Sequence, residues 1–196
     1  APAMIMSKRR DSGSSNWRIY NKNLSSNSHI LFLDTTSAEQ GSNSATWNNT
    51  APTSTVFSVG ASGDVNASSG TFVHYCFVEI KGYSKIGSYT GGSDPFVYLG
   101  FRPSWIMFKN ASATENWRII DNKRDTYNPA VQHIYPNLGS AEGSGSSYND
   151  FVDFLSNGFK IRSGSGEIDG SGNTITYMAF AEAPFVNSNG VPANAR

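Results

Sequence analysis

Two glutamates end stretches of similar sequence, and a pair of carboxylates is what acid–base catalysis on glycosidic bonds requires. Glu79 ends the run TFVHYCFVE, and Glu182 ends the run TITYMAFAE. Such a pair works only when both carboxylates face one cleft. Because the two glutamates occupy equivalent places in a repeated pattern, we expect them in separate modules, in structural or rim positions. The sequence therefore disfavours a glycan-degrading depolymerase.

The histidines and acidic loops do not have the spacing of metal ligands. His29, His74 and His133 stand in three separate segments, and none has a Cys or carboxylate at the short intervals typical of zinc sites. The loop EIDGSGN (167–173) has the acidic and glycine residues of a calcium loop, but the similar stretch DVNASSG (64–70) keeps few of them. Turns between strands explain both loops. We predict no metal site and no cofactor.

No nucleophile motif is present, and we predict that the protein is not an enzyme. Serines are abundant, but no GxSxG elbow occurs. Cys76, the single cysteine, lies between Tyr75 and Phe77 in an apolar run, so we expect it to be buried and inert.

Aromatic residues in polar, loop-like surroundings are the best candidates for ligand contact. Trp47, Tyr89 and Tyr148 have this setting, and an exposed ring there could stack on a sugar while neighbouring Asn and Asp side chains bond its hydroxyls. Packing into the protein is the competing interpretation for each. Trp17 and Trp117 lie inside apolar runs and are predicted core residues.

Composition excludes several classes of function. The formal net charge is 0 and the sequence pI is about 7.1, so no basic face for nucleic acid is indicated. The sequence contains no run of 18 apolar residues, so no membrane span is predicted. It has no charged segment followed by an apolar one at its start, so no signal peptide is predicted. A single cysteine rules out an intrachain disulfide.

The chain repeats itself with a period of about 100 residues. Residues 2–79 are similar in sequence to residues 102–182: Trp17 matches Trp117, and SAEQGS (37–42) matches SAEGSG (140–145). The first copy has no counterpart of the GF pair at 100–101 and begins with Ala, so we expect a truncated first module and a longer parent protein.

Short apolar runs between polar turns predict an all-β fold of two tandem, duplicated antiparallel β-sandwich modules. The predicted domains are 1–81, a bridging pair of strands at 82–101 that contributes to the second module, and 102–196 with a C-terminal tail. The run 71–80 is apolar on both faces, which predicts a central strand covered on each side. The predicted strands are 4–7, 16–20, 29–34, 55–60, 71–80, 105–110, 116–121, 133–138, a hairpin at 151–163 with its turn at SNG, and 174–182.

Several phrases of the sequence resemble one known group of proteins. KGYSKIGSYTGG, PFVYLGFRPSWIMFKN, NWRIIDNKRD and TYMAFAEAPFVNSNGVPANAR resemble the C-terminal repeat regions of tailed-phage virion proteins, of the tail-fibre or structural type. The resemblance implies a non-enzymatic structural protein of the tail or virion surface, made in the host cytoplasm. It also implies host cell-surface carbohydrate as the candidate ligand. We expect such a protein to self-associate into a homo-oligomer and to contact other virion proteins.

An architectural role is the alternative. In that case the protein decorates a capsid or forms filaments without a ligand, and an exposed edge strand or the tail 183–196 pairs with the next subunit.

Overall fold

A computed structural model describes residues 1–41, 44–92, 94–143, 151–163 and 165–184. The chain forms two compact units, Ala1–Val78 and Glu79–Arg196. Strands dominate both, and the strands in the described ranges all pair antiparallel. The prediction of an all-β fold with antiparallel sheets is confirmed. None of the helices in the described ranges has the length and apolar character needed to cross a membrane.

The first unit is built on one four-stranded sheet. Its elements are β1 (Met4–Arg9), β2 (Arg18–Asn21), β3 (Leu31–Phe32), the single-turn helices α1 (Ser44–Trp47) and α2 (Gly63–Asn66), and β4 (Phe72–Phe77). The strand order is β3-β2-β1-β4. One face of the sheet supplies the core residues Ile5, Tyr20 and Phe32, which cluster with Ile30, Trp47, Phe57 and Val59.

The second unit has two sheets. Its elements are β5 (Ser84–Thr90), β6 (Phe96–Tyr98), β7 (Pro103–Asn110), β8 (Trp117–Asp121), β9 (His133–Ile134), β10 (Phe151–Leu155), β11 (Gly158–Ser163), the single-turn helix α3 (Gly166–Asp169) and β12 (Thr174–Ala181). One sheet has the order β5-β12-β7-β8-β9 and the other has the order β10-β11-β6.

The core of the second unit takes side chains from both of its sheets. Phe108 and Ile175 come from the five-stranded sheet, and Phe154 and Phe159 come from the three-stranded sheet. Alternation of apolar residues along each strand places one set on this shared core. Ser156 and Asn157 join β10 to β11 in a two-residue loop, as the SNG turn predicts.

The bridging segment 82–101 belongs to the second unit. β5 pairs with β12 over seven residue pairs, from Ser84↔Phe180 to Thr90↔Thr174, and β6 pairs with β11. The division between the units falls between Val78 and Glu79.

The strand β4 differs from the prediction, because it lies at an edge. The run 71–80 is predicted to be central and covered on both faces, but β4 pairs only with β1. Tyr75 is 51% exposed and Cys76 is exposed as well. Apolar side chains on both faces indicate that both faces of a strand can be buried. They do not determine whether a second strand lies beside it.

Three other predicted strands are shorter or absent. Only Leu31–Phe32 of the run 29–34 forms a strand, and Pro136 follows the two-residue β9. Residues 55–60 form no strand, although Phe57 and Val59 alternate and pack on the core. Among the described residues of the first unit, this stretch has no strand beside it to complete a ladder.

Candidate functional site

A cleft of about 460 Å³ opens in the second unit, where β5 of one sheet and β6 of the other come together. A second cleft, of about 420 Å³, is lined by Ser104, Trp105, Asp121, Asn122, Lys123 and Arg124. The residues lining the first cleft combine apolar surface with a few charged groups, which is the usual make-up of a ligand site. They are Glu79, Ile80, Lys81, Gly82, Ser84, Lys85, Tyr98, Leu99, Gly100 and Phe101.

Tyr98 is the aromatic residue that this cleft presents to solvent. Its side chain is 60% exposed, whereas its neighbours Val97 and Leu99 are buried in the core. Side chains alternate between the two faces of a strand, so burial of Val97 and Leu99 directs Phe96 and Tyr98 outward. Phe96 is exposed as well, and the outer face of β6 is therefore aromatic.

Lys85 fixes the backbone beside Tyr98 and places a positive charge near its ring. The Lys85 Nζ donates a hydrogen bond of 2.7 Å to the Tyr98 carbonyl oxygen. The same ammonium lies 5.6 Å from the centroid of the Tyr98 ring, within the range of a cation–π interaction. The two contacts tie β5 to β6 at the rim of the cleft.

Glu79 supplies the carboxylate of the cleft. Its Oε1 accepts a hydrogen bond of 3.2 Å from the Ile86 backbone N–H. Burial raises the pKa of Tyr177 to about 12, and the nearby negative charge of Glu79 adds to that shift. Glu79 therefore lines the cleft and is close enough to Tyr177 for its charge to act on the buried hydroxyl.

Glu182 does not join Glu79 in this cleft. Its Oε2 lies 3.2 Å from the Arg102 Nε, and its Oε1 accepts a hydrogen bond of 2.8 Å from the Asn122 amide. Both glutamates belong to the second unit, whereas the sequence predicts separate modules. Of the described residues that line the cleft, Glu79 is the one acid.

The aromatic residues predicted to contact a ligand have other positions. Trp47 is 1% exposed and packs edge-on against Tyr20 at 6.0 Å, so it is a core residue of the first unit and not an exposed loop ring. The Tyr89 hydroxyl donates a hydrogen bond of 2.5 Å to the Ile168 carbonyl, and its ring packs against Phe159 and Tyr177. Tyr148 lies outside the described residues.

Each unit also contains a buried or half-buried arginine paired with an acid. Arg118 on β8 pairs with Glu167 on α3, donates to the Tyr135 hydroxyl at 2.8 Å and stacks its guanidinium over that ring. In the first unit Arg18 pairs with Asp64. Bonding from Ser15, and then from Arg18, lowers the pKa of Asp64, against the opposing effect of burial. These ion pairs fasten each helical turn to its sheet.

The histidines have structural contacts. The His29 Nδ1 pairs with the Glu39 carboxylate, the His133 Nδ1 contacts the Val131 carbonyl at 3.0 Å, and His74 packs edge-on against Phe57. Burial lowers the pKa of both His74 and His133. Within the described ranges, no three His, Cys, Asp or Glu side chains come together in a group that could hold a metal.

Sequence reasoning missed Tyr98 and Lys85. The run PFVYLGF has apolar or aromatic residues on both faces, so its alternation does not reveal which face meets the core. The useful signal is that Phe96 and Tyr98 share one face while the aliphatic Val97 and Leu99 share the other. Aliphatic residues are buried more completely than tyrosine.

Together these features define an all-β protein of antiparallel sheets with a cleft rimmed by Tyr98, Lys85 and Glu79. The chain belongs to the family described as Domain of unknown function (DUF7483), whose model matches residues 1–184. No curated protein and no solved structure was found to match it.

Proposed function

We propose that the protein is a non-enzymatic, repeat-built structural protein of a phage tail or virion surface, and that its cleft binds carbohydrate of the host surface. The proposal of a carbohydrate ligand rests on the Tyr98 ring, which is exposed at the mouth of a cleft that a lysine and a glutamate also line. The apolar face of a sugar ring packs on an aromatic ring, while its hydroxyls take hydrogen bonds from charged neighbours. Tyrosine suits this role because it has an apolar body and a polar tip.

The charges of the cleft favour an acidic glycan. Lys81 and Lys85 outnumber Glu79 among the lining residues. A carboxylated or sulfated sugar would gain a favourable interaction that a neutral sugar lacks, and salt would weaken it because the cleft is open to solvent.

Binding without hydrolysis is the expected activity. Glycosidases of the common type use two carboxyl groups about 5–9.5 Å apart on either side of the scissile bond. The cleft offers Glu79, and Glu182 is engaged elsewhere by Arg102 and Asn122.

We also propose that the two units arose by tandem duplication, as expected for a module of a repeat-built appendage. The order β9-β8-β7-β12 in the second unit parallels the order β3-β2-β1-β4 in the first. The Arg10 N–H donates to the Thr71 carbonyl, and the Ala111 N–H donates to the Thr174 carbonyl at the same place in the pattern.

The arginine pairs give further support. In both units an arginine, Arg18 on β2 or Arg118 on β8, pairs with an acid on a single-turn helix. Its guanidinium lies over an aromatic ring, Phe32 in β3 or Tyr135 next to β9. In both, a serine, Ser62 or Ser165, caps that helix. The virion setting rests on the resemblance of the sequence to tailed-phage structural proteins.

A glycan array followed by calorimetry tests the proposed ligand. We expect binding to an acidic glycan by the intact chain, a loss of about tenfold or more for Tyr98→Ala, and no change for Tyr127→Ala. Tyr127 is the matched control because it is exposed and does not line the cleft. Equal binding by both variants, or hydrolysis of the bound glycan, would contradict the proposal.

Electron microscopy of purified particles tests the virion setting. An antibody to this chain that marks a tail or surface appendage would support it. A continuous lattice or filament of this chain, with no glycan binding, would favour the architectural alternative.

A further inference from the structure

The strand β4 has one edge that no other strand occupies among the described residues. It pairs with β1 from Met4↔Phe77 to Arg9↔Phe72, and it ends the sheet on the other side. The Arg10 N–H donates to the Thr71 carbonyl at 2.8 Å, which marks a hydrogen-bonded pair. Hydrogen-bonded and non-bonded pairs alternate along an antiparallel ladder. Phe72, His74 and Cys76 therefore direct their backbone groups away from β1, toward the open edge.

In the second unit the strand that corresponds to β4 is β12, and it has a neighbouring strand on each side. There β12 pairs with β7 on one side and with β5 on the other, through Ile175↔Tyr89, Tyr177↔Gly87 and Ala179↔Lys85. Ile175, Tyr177 and Ala179 stand in the places of Phe72, His74 and Cys76, because both strands follow the same register relative to the neighbouring strand.

Solvent exposure separates the two strands sharply. Tyr75 is 51% exposed, whereas Met178, which stands in its place, is 3% exposed. Cys76 is exposed, whereas Ala179 is fully buried. An apolar edge strand left open is a site for pairing with another strand.

The face of β4 beside that edge also lacks the cover present in the second unit. Val97, Leu99 and Phe101, in and just after β6, pack on the core beneath β12. In the first unit residues 55–60 come shortly before α2, as β11, the strand that pairs with β6, comes shortly before α3. Residues 55–60 have no strand partner among the described residues.

We infer that the open edge of β4 is an interaction surface for a further copy of the segment 79–101 of this repeat. The first strand of that copy would pair antiparallel with β4, in the register of β5 on β12. Its second strand would lie over the exposed face and complete a ladder with residues 55–60. In the second unit this strand pair, β5 and β6, directly precedes β7. A copy directly before β1 would complete the sheet of the first unit in the same way, so repeats would be joined in series.

The alternation of β5 fits this partner. Lys85, Gly87 and Tyr89 would present their backbone groups to Cys76, His74 and Phe72. Gly87 would lie opposite the His74 ring, as it lies opposite Tyr177 in the second unit, where a side chain would meet the tyrosine hydroxyl at 2.4 Å.

The test uses the single thiol of the chain as its reporter. In one protein a copy of residues 79–101 is placed directly before Ala1, so that Ala1 takes the place that Arg102 has in the second unit. We expect Cys76 to react with a soluble disulfide reagent at least tenfold more slowly than in the unaltered chain. Hydrogen exchange should show new protection at Phe72, His74 and Cys76.

The control carries Gly87→Pro in the added copy alone. Proline removes an N–H that the ladder needs, so the thiol should again react at the rate of the unaltered chain. In a second arm, residues 79–101 are added as a free peptide to the unaltered chain, and the same protection should appear and saturate.

Two results would overturn the inference. One is an unchanged thiol reaction rate in both arms. The other is a rate that already falls as the unaltered chain is concentrated, because β4 would then pair with a second molecule of the chain and not with the 79–101 segment.

Discussion

The Arg118 guanidinium pairs with the Glu167 carboxylate under almost complete burial, because the Arg118 side chain is 0% exposed and the Glu167 side chain is 9% exposed. In the first unit Asp64 pairs with Arg18 but remains 31% exposed. The Asn116 amide also donates a hydrogen bond of 2.9 Å to Glu167. The two pairs have the same chemistry in different solvent environments, and their energies should differ accordingly.

Neutralising the acid of each pair should therefore have unequal effects. Glu167→Gln leaves the Arg118 charge buried without its counter-ion, which typically costs about 3–5 kcal/mol of the free energy of unfolding. Asp64→Asn should cost about 1 kcal/mol, because solvent screens the more exposed pair. Urea unfolding, followed with a probe in each unit, measures both values, and equal losses would show that burial does not set the difference.

Stability should rise with pH above 8 because of Lys109. Burial lowers the pKa of this lysine from 10.5 to about 8, while its Nζ donates to the Glu115 carbonyl at 2.8 Å. Between these values the unfolded chain holds a proton that the folded chain has released, so a higher pH favours folding. From pH 8 to 10 the gain should be on the order of 2 kcal/mol.

The rise should end near pH 10. Tyr177 has a pKa of about 12 in the folded state, compared with an ordinary value of 10.0, so above pH 10 the unfolded state loses a proton that the folded state keeps. Urea midpoints at several pH values measure the profile. Lys109→Met should abolish the rise, whereas Lys8→Met, the matched change in the first unit, should retain it.

Gly87→Ala should destabilise the second unit by about 1–3 kcal/mol, the usual range for overpacking. A Cβ at this position would lie 2.4 Å from the Tyr177 Oη and 2.7 Å from its Cζ. Tyr177 is buried in the core and has little room to move. Thermal unfolding measures the loss, and Gly139→Ala is the control because nothing lies within 4 Å of its Cβ.

The combined variant Gly87→Ala with Tyr177→Phe separates the steric cause from a general loss of strand flexibility. Removing the hydroxyl deletes the nearest atom and leaves the ring, so part of the loss should return. No recovery at all would indicate that the clash is not the cause.

Reversing one charge in the cleft should change the choice of glycan. Lys81→Glu leaves Lys85 against two acids, so the affinity for acidic glycans should fall about tenfold. The lining then repels an acidic glycan, so added salt should strengthen the remaining binding instead of weakening it. Binding of neutral glycans, measured by the same calorimetry, should remain within about twofold. A uniform loss for both kinds of glycan would indicate damage to the cleft and not a change in its charge.

The sequence predicts the strands better than it predicts their neighbours. The strands β7, β8 and β12 follow from apolar and β-branched runs between polar turns, because pattern and propensity agree there. The edge position of β4 does not follow, because strand pairing depends on partners that are distant in the chain. The missing strand at 55–60 has the same physical origin.

The candidate site was harder to predict, since burial of an aromatic ring depends on tertiary packing. Trp47 stands among Ser, Asn and Thr residues, yet its ring fills the space beside Tyr20. Tyr98 stands in an apolar run, yet its ring faces solvent. The polarity of the neighbouring residues therefore predicts the wrong exposure for both rings. For Tyr98, the alternation of Val97 and Leu99 with Phe96 and Tyr98 is the signal that indicates the exposed face.

The four tryptophans are divided equally between the units: Trp17 and Trp47 lie in the first, and Trp105 and Trp117 lie in the second. Each unit also has one fully buried indole, Trp47 or Trp117. Buried indoles emit at shorter wavelengths than hydrated ones, so a chain in which Trp47 or Trp117 is the one remaining tryptophan would carry a spectroscopic label for one half of the molecule. Melting curves recorded on the two labels would resolve whether the halves lose their structure in one cooperative step or in succession.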